Sequence, residues 1–210
     1  AEDILPLPGG ERLARLLLQT GALVPQGRFV FVSSLSVMGA ALEAPLRDAE
    51  GRPLQGPASY RPVSADDEPQ PNTAYGRSKL EAERRLAGIE GLNYVVLRPT
   101  GVYGPRERDY FLMADSIRRH VDFAVGYRPQ IITFIYVRDL VAACFAALTR
   151  GERGKAYLLS DGLDYDSRAF SDLLQQEMGV RGVLHITAPE WVLHGVCAFN
   201  TRLARFTHKM

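Results

Sequence analysis

The amino-acid sequence predicts an α/β protein with a mainly parallel sheet, and three observations carry that prediction. Short continuous apolar runs stand at Arg28–Val32 and Asn93–Leu97. They lack the alternation of a half-exposed strand, so they read as strands buried on both faces. Between them, and again further along, apolar residues recur at helical spacing. Strands that alternate with helices along a chain assemble into a parallel sheet covered by helices.

Taken in order, Glu11–Thr20 carries Leu13, Leu16 and Leu17 on one stripe, which predicts a helix stopped near Gly21. After the strand at Arg28–Val32 comes Ser33-Ser34-Leu35-Ser36-Val37-Met38-Gly39. The region 40–72, with six prolines and the acidic cluster Asp66-Asp67-Glu68, reads as a long loop. A connection of that length is either functional, here a loop over the site, or a plain insertion. Asn72 or Thr73 can cap a helix that carries Tyr75 and Lys79 and fades at Gly88–Gly91, with Glu81 and Arg85 as a solvated pair on it. Asn93–Leu97 runs into a polar turn at Arg98-Pro99-Thr100. Further expectations are a helix from Phe111 to about His120 and a strand over Ile131–Val137. Asp139 is the expected cap of a helix over Leu140–Thr149. A strand at Ala156–Ser160, a helix over Ser167–Met178 ended by Gly179, and a strand at Val183–Thr187 follow. Pro189 opens a last helix bearing Trp191, Val192, Val196, Phe199, Leu203 and Phe206, expected to pack on a smaller lobe.

Composition narrows the function classes. Of 210 residues, 25 are Lys or Arg and 24 are Asp or Glu, with no basic block, which argues against nucleic acid and against an electrostatic membrane tether. The cysteines are Cys144 and Cys197 alone, with no CxxC and no zinc spacing, so a reducing cytoplasm without a metal site is expected. His120, His185, His194 and His208 have no ligand spacing. Leu140–Leu148 is too short to span a bilayer.

The chemistry centres on Tyr75-Gly76-Arg77-Ser78-Lys79. Residues i and i+4 share a helix face, so the phenol and the ammonium can reach one point in a cleft. A free phenol titrates near ~10 and accepts protons poorly at neutral pH, whereas an ammonium beside it favours the phenolate. That makes Tyr75 a candidate acid/base for a hydroxyl or carbonyl substrate. Open α/β sheets bind ligands beyond the carboxyl ends of their strands. Ser33-Ser34 at one strand end, the Tyr75/Lys79 pair on the next helix and Pro99-Thr100 at the next strand end can therefore converge. The plainer alternatives are strand-end caps for Ser33 and Ser34, an exposed helix tyrosine, and turn chemistry alone for Pro99-Thr100.

Four segments in order, Ser33–Gly39, Tyr75–Lys79, Arg98–Pro105 and Phe134–Leu140, resemble those of the extended short-chain dehydrogenase/reductase superfamily, and within it the NAD-dependent epimerase/dehydratase group. The likeness covers roughly Gly27 to Asp161. It implies a Rossmann-like mainly parallel sheet, incomplete in its N-terminal half, over residues 1–104. A smaller α/β substrate-binding lobe would occupy 105–210, with 156–160 returning to the main sheet. It further implies NAD or NADP as cofactor and a small-molecule substrate. Catalysis would fall to Ser34, Tyr75 and Lys79. Ser33, Tyr75, Lys79, Pro99 and Val102 would hold the nicotinamide end, and Ser34, Thr100 and Arg106 the substrate. Arg106 suits an anionic group such as a diphosphate, or is a surface arginine in a turn.

Departures accompany the resemblance. The family opens with a strand and a Gly-x-x-Gly-x-x-Gly turn that binds pyrophosphate at a helix N-terminus. Neither Gly9-Gly10 nor Gly151–Gly154 has that spacing. The 210 residues are thus expected to be part of a longer chain and to hold a dinucleotide weakly by themselves. Met38 stands where a tyrosine is common in the family, a change expected to affect packing. The substrate is left between a nucleotide sugar and, as in sterol- or flavonoid-reductase-like relatives, an apolar ketone or alcohol. A non-catalytic dinucleotide-binding module is the rival from another class; the oligomeric state is left open, with a homodimer as one option.

Overall fold

The computed structural model describes residues 27–39, 48–50, 52, 61–126, 131–189 and 191. The expected helix at Glu11–Thr20, the middle of the 40–72 loop, Cys197 and the helix beyond Trp191 lie outside them. The described residues fall into two compact units, one within Ala1–Pro105 plus Thr133–Asp164, the other within Arg106–Ile132 plus Tyr165–Met210. The first unit takes in 133–164 as well as the chain up to Pro105.

In the first unit the strands β1 (Phe29–Val32), β2 (Tyr94–Pro99) and β7 (Ala156–Leu159) form a parallel sheet with β2 in the middle. Every β2 residue from Val95 to Pro99 is buried, as the apolar run Val95–Leu97 requires. β1 is half-buried, and Val32 is exposed. This corrects the expectation of burial on both faces: among the described residues β1 is an end strand. A second parallel pair joins β3 (Gly101–Tyr103) to β6 (Phe134–Tyr136).

Helix α1 (Ala74–Ala87) begins at Thr73, whose hydroxyl accepts from the Gly76 N–H at 3.0 Å, so the cap is Thr73 rather than Asn72. It buries Leu80, Glu83 and Leu86. Helix α3 (Val137–Arg150) packs on the sheet through Ala147, beside Val95 and Leu97. Arg28 fastens the start of β1 to that helix by donating to the Ala147 carbonyl at 2.9 Å. The helix starts at Val137 with no side-chain cap, so Asp139 is not its cap. It sits in the first turn, where a carboxylate favours the helix dipole.

The second unit contains α2 (Asp109–Arg118), β4 (Val121–Val125), β5 (Ile131–Ile132), β8 (Tyr165–Asp166), α4 (Ser167–Met178) and β9 (Leu184–Ala188). β4 and β9 pair in parallel, β5 and β8 antiparallel. The expected single strand over Ile131–Val137 is instead divided: Ile131–Ile132 pairs with Tyr165–Asp166, Phe134–Tyr136 pairs with β3, and Val137 already opens α3. Helix α4 runs over the expected residues, and Gly179, left-handed at φ 66°, closes it.

Candidate active site

The site is built at the carboxyl ends of β1 and β2. Beyond β1, Ser33 is 3% exposed and its N–H donates to the Leu97 carbonyl at 2.7 Å, continuing the sheet by one residue. Ser34 then caps a single 3₁₀ turn, Leu35–Val37. Its Oγ accepts from the Ser36 N–H at 3.2 Å and lies 3.0 Å from the Ser36 Oγ. The cap is thus what the hydroxyl does within the fold. A serine oxygen carries two acceptor sites and one donor, so with Ser36 donating twice the Ser34 O–H is left to donate outward.

Helix α1 meets this turn at its first residues. A Cβ on Gly76 would overlap the Ser36 carbonyl oxygen and sit 3.0 Å from the Pro71 side chain. Only glycine lets the helix start come so near. Tyr75, one residue earlier, is 56% exposed, and among the described residues its hydroxyl has no hydrogen-bond partner. Lys79, one turn on, donates to the Val32 carbonyl at 3.2 Å. Its ammonium stands 5.4 Å from the Phe31 ring centroid and 5.7 Å from the Tyr75 ring centroid, within cation–π range of both. The lysine therefore ties the tyrosine's helix to the strand end, and two of its three N–H donors remain.

The end of β2 supplies Pro99 and Thr100, the Thr100 N–H donating to the Leu159 carbonyl at 3.0 Å. Two buried side-chain oxygens among the described residues lack any partner, Ser33 Oγ and Thr100 Oγ1. A buried hydroxyl without a partner costs about 1–3 kcal/mol, and both orphans sit at strand ends where a ligand of an open α/β sheet would lie. These residues fit the amide and ribose end of a dinucleotide. Among the described residues nothing forms a glycine-rich phosphate turn. Val102 is half-buried in β3, paired with Ile135. Arg106 belongs to the second unit, is exposed, and holds a left-handed backbone at φ 74°.

One cluster was missed from the sequence. Arg98 is 6% exposed and grips Glu83 with two bonds, Nε–Oε1 at 3.2 Å and Nη2–Oε2 at 2.6 Å, while Nη1 lies 3.2 Å from the Met38 sulfur. Met38 itself packs with Val37 and Leu80. The signal was present: an arginine inside an otherwise apolar buried strand demands a carboxylate, and Glu83 lies one turn past Lys79 on the inner face of α1.

The chain is similar to several known proteins. The chain is 28% identical over 160 residues to GDP-6-deoxy-D-mannose reductase of Pseudomonas aeruginosa, which covers 70% of this chain and 48% of the relative. It is 26% identical over 164 residues to UDP-glucose 4-epimerase of Vibrio cholerae, 74% and 44% of the respective chains. The chain thus spans about half the length of the curated relatives it matches. Among solved structures, RMD from Pseudomonas aeruginosa complexed with NADPH superposes with a TM-score of 0.68 at 24% identity, over 88% of this chain and 60% of that one. That likeness shows a shared Rossmann-type α/β fold. A family model matches residues 8–160, and on that match the chain belongs to the NAD dependent epimerase/dehydratase family.

Proposed function

We propose that the protein is an NAD(P)-dependent oxidoreductase of the epimerase, dehydratase or reductase kind, acting at a carbinol or carbonyl carbon of a nucleotide sugar. The observation that carries the proposal is the position of Lys79, bonded to the carbonyl that precedes Ser33-Ser34 and facing the Tyr75 ring. The hydride chemistry is what a bound nicotinamide supplies. Ser33 offers its unpaired hydroxyl, and Pro99 and Val102 their backbone surroundings, to hold that end of the cofactor. Lys79 offers its two remaining donors to ribose hydroxyls. Ser34 donates its O–H to the substrate oxygen and fixes that oxygen beside the phenol. Tyr75 takes the proton from a carbinol oxygen as it becomes a carbonyl, or returns it in the reverse direction, a contribution typically worth ~10²–10⁴ in rate. Thr100 borders the substrate, and Arg106, exposed and permanently charged, suits an anionic group such as a diphosphate.

What supports a nucleotide sugar is the naming of the two curated relatives, both of which act on such molecules. Cys144 is a free thiol, in keeping with the cytoplasm as the proposed compartment, and a homodimer is the proposed assembly. Among the described residues no helix is long and apolar enough to cross a membrane.

The test is Tyr75→Phe in the full-length natural chain, assayed with nucleotide sugars and either cofactor. We expect kcat to fall at least ~10²-fold while cofactor binding persists. Unchanged turnover would overturn the reading, and cofactor binding without turnover in the parent would make the protein a binding module. Net NADPH oxidation with an apolar ketone, and none with nucleotide sugars, would transfer the substrate class to apolar alcohols.

A further inference from the structure

The buried pair Arg98–Glu83 lies outside every role assigned above. Both side chains are only 8% exposed. Taking two charges out of water is expensive, and a well-packed apolar pair of similar volume is often as stable or more so. Stability is therefore a weak reason for an ion pair here. What a guanidinium fork supplies instead is geometry, since it accepts a carboxylate edge-on in one plane and at one separation.

The three segments that this fork joins are those that carry the proposed chemistry. Arg98 immediately precedes Pro99 and Thr100. Glu83 is one turn beyond Lys79 and two beyond Tyr75 on α1, so whatever fixes Glu83 along the helix axis fixes both. Met38 closes the turn that begins at Ser33 and Ser34. A thioether is only a weak acceptor, so the sulfur seats the third nitrogen without competing for the charge. Among the described residues Glu83 alone neutralises Arg98.

We propose, building on the function just given, that Arg98 and Glu83 are positioning residues. They set the axial register of α1 against β2, and through it the placement of the Tyr75 hydroxyl and the Lys79 ammonium relative to Ser33, Ser34 and Thr100. A slip along α1 would break the bond from Lys79 to the Val32 carbonyl first, because that bond runs from the same helix face to the neighbouring strand end.

The test compares the full-length natural chain with the double variant Arg98→Met/Glu83→Leu, which fills the same space without charge. Three quantities are read: the thermal midpoint, kcat and KM for the nucleotide sugar, and the ring-carbon NMR resonance of Tyr75 without ligand, assigned with Tyr75→Phe. We expect a midpoint close to the parent's, kcat reduced ~10–10²-fold with KM within about threefold, and a displaced Tyr75 resonance, since small misplacements of reacting groups cost rates of this order. A double variant that folds and keeps both the parent's kcat and its Tyr75 resonance would make the pair merely structural. Should the double variant not fold, Glu83→Gln, which preserves volume and a hydrogen bond, carries the same comparison with the same two readings. If Tyr75→Phe leaves turnover intact, the proposed function fails by itself, while the Tyr75 resonance still reports whether the pair sets the register.

Discussion

Two parallel strand pairs in this molecule have opposite fates. β2 in the first unit is buried from Val95 to Pro99, with sheet neighbours on either side. The β4–β9 pair in the second unit exposes Phe123, Leu184 and Ile186, and buries Asp122, 2.8 Å from the His185 Nδ1. The difference bears on where the proposed chemistry is placed. A hydroxyl at the end of an exposed strand finds water, whereas Ser33, bonded to the buried β2, and Thr100, which follows it, are left without partners and so favour a ligand that supplies them.

The contrast can be broken most forcefully at β2. Leu97→Ala, at a position 2% exposed, should cost about 2–5 kcal/mol in urea unfolding, against no more than about 0.5 kcal/mol for Phe123→Ala, which is 55% exposed. Equal costs would mean that the β4–β9 face is covered in solution.

A smaller effect is expected where α1 meets the Ser34 turn. Helix propensity alone would favour alanine over Gly76 by about 1 kcal/mol. The overlap of its Cβ with the Ser36 carbonyl reverses the sign, so Gly76→Ala should destabilise by about 1–3 kcal/mol and lower kcat together with it. A stabilised variant would show that the helix start is free to move.

The smallest effect concerns acid. Asp67 accepts from the Ser64 N–H and from Arg61, and these bonds, the Ser64 one foremost, hold its carboxyl below the ordinary value. A depressed folded value gives support that is full above about pH 3.9 and is lost as pH falls through the folded value. Amide exchange at Ser64 should therefore quicken only in that acid range, with β2 unaffected. Quickening near neutrality would contradict the assignment.

Much of the first unit was legible in the sequence because its elements announce themselves locally. The runs at β1 and β2 and the threonine before α1 each act within a few residues, as does, in the second unit, the glycine after α4. The partition of Ile131–Val137 was not legible, since an apolar run carries no record of which partner each half will pair with, and Tyr165 and Gly101 are both distant from it in the chain. β3 was hidden behind the turn expected at Arg98-Pro99-Thr100, of which Arg98 and Pro99 instead continue β2. β4, a short mixed stretch, becomes a strand only by pairing with residues about sixty positions later. At the site, spacing on one helix brought Tyr75 and Lys79 into view. The partner of Lys79, a backbone carbonyl, could not be read from residue types, because every residue has one.

The reach of Lys79 back to Val32 has a consequence for how this protein can vary. The stretch from 33 to 78 is a ring closed at the site by that bond, and it is drawn together again further out, where Gly39 lies so close to the Gln70 carbonyl that no side chain would fit between them. Residues added or removed between Gly39 and Gln70 leave both of these closures in place. Doubling the length of such a connection costs only about 0.6 kcal/mol in chain entropy. Homologues could thus carry very different lengths there while leaving the tyrosine and the serine turn undisturbed.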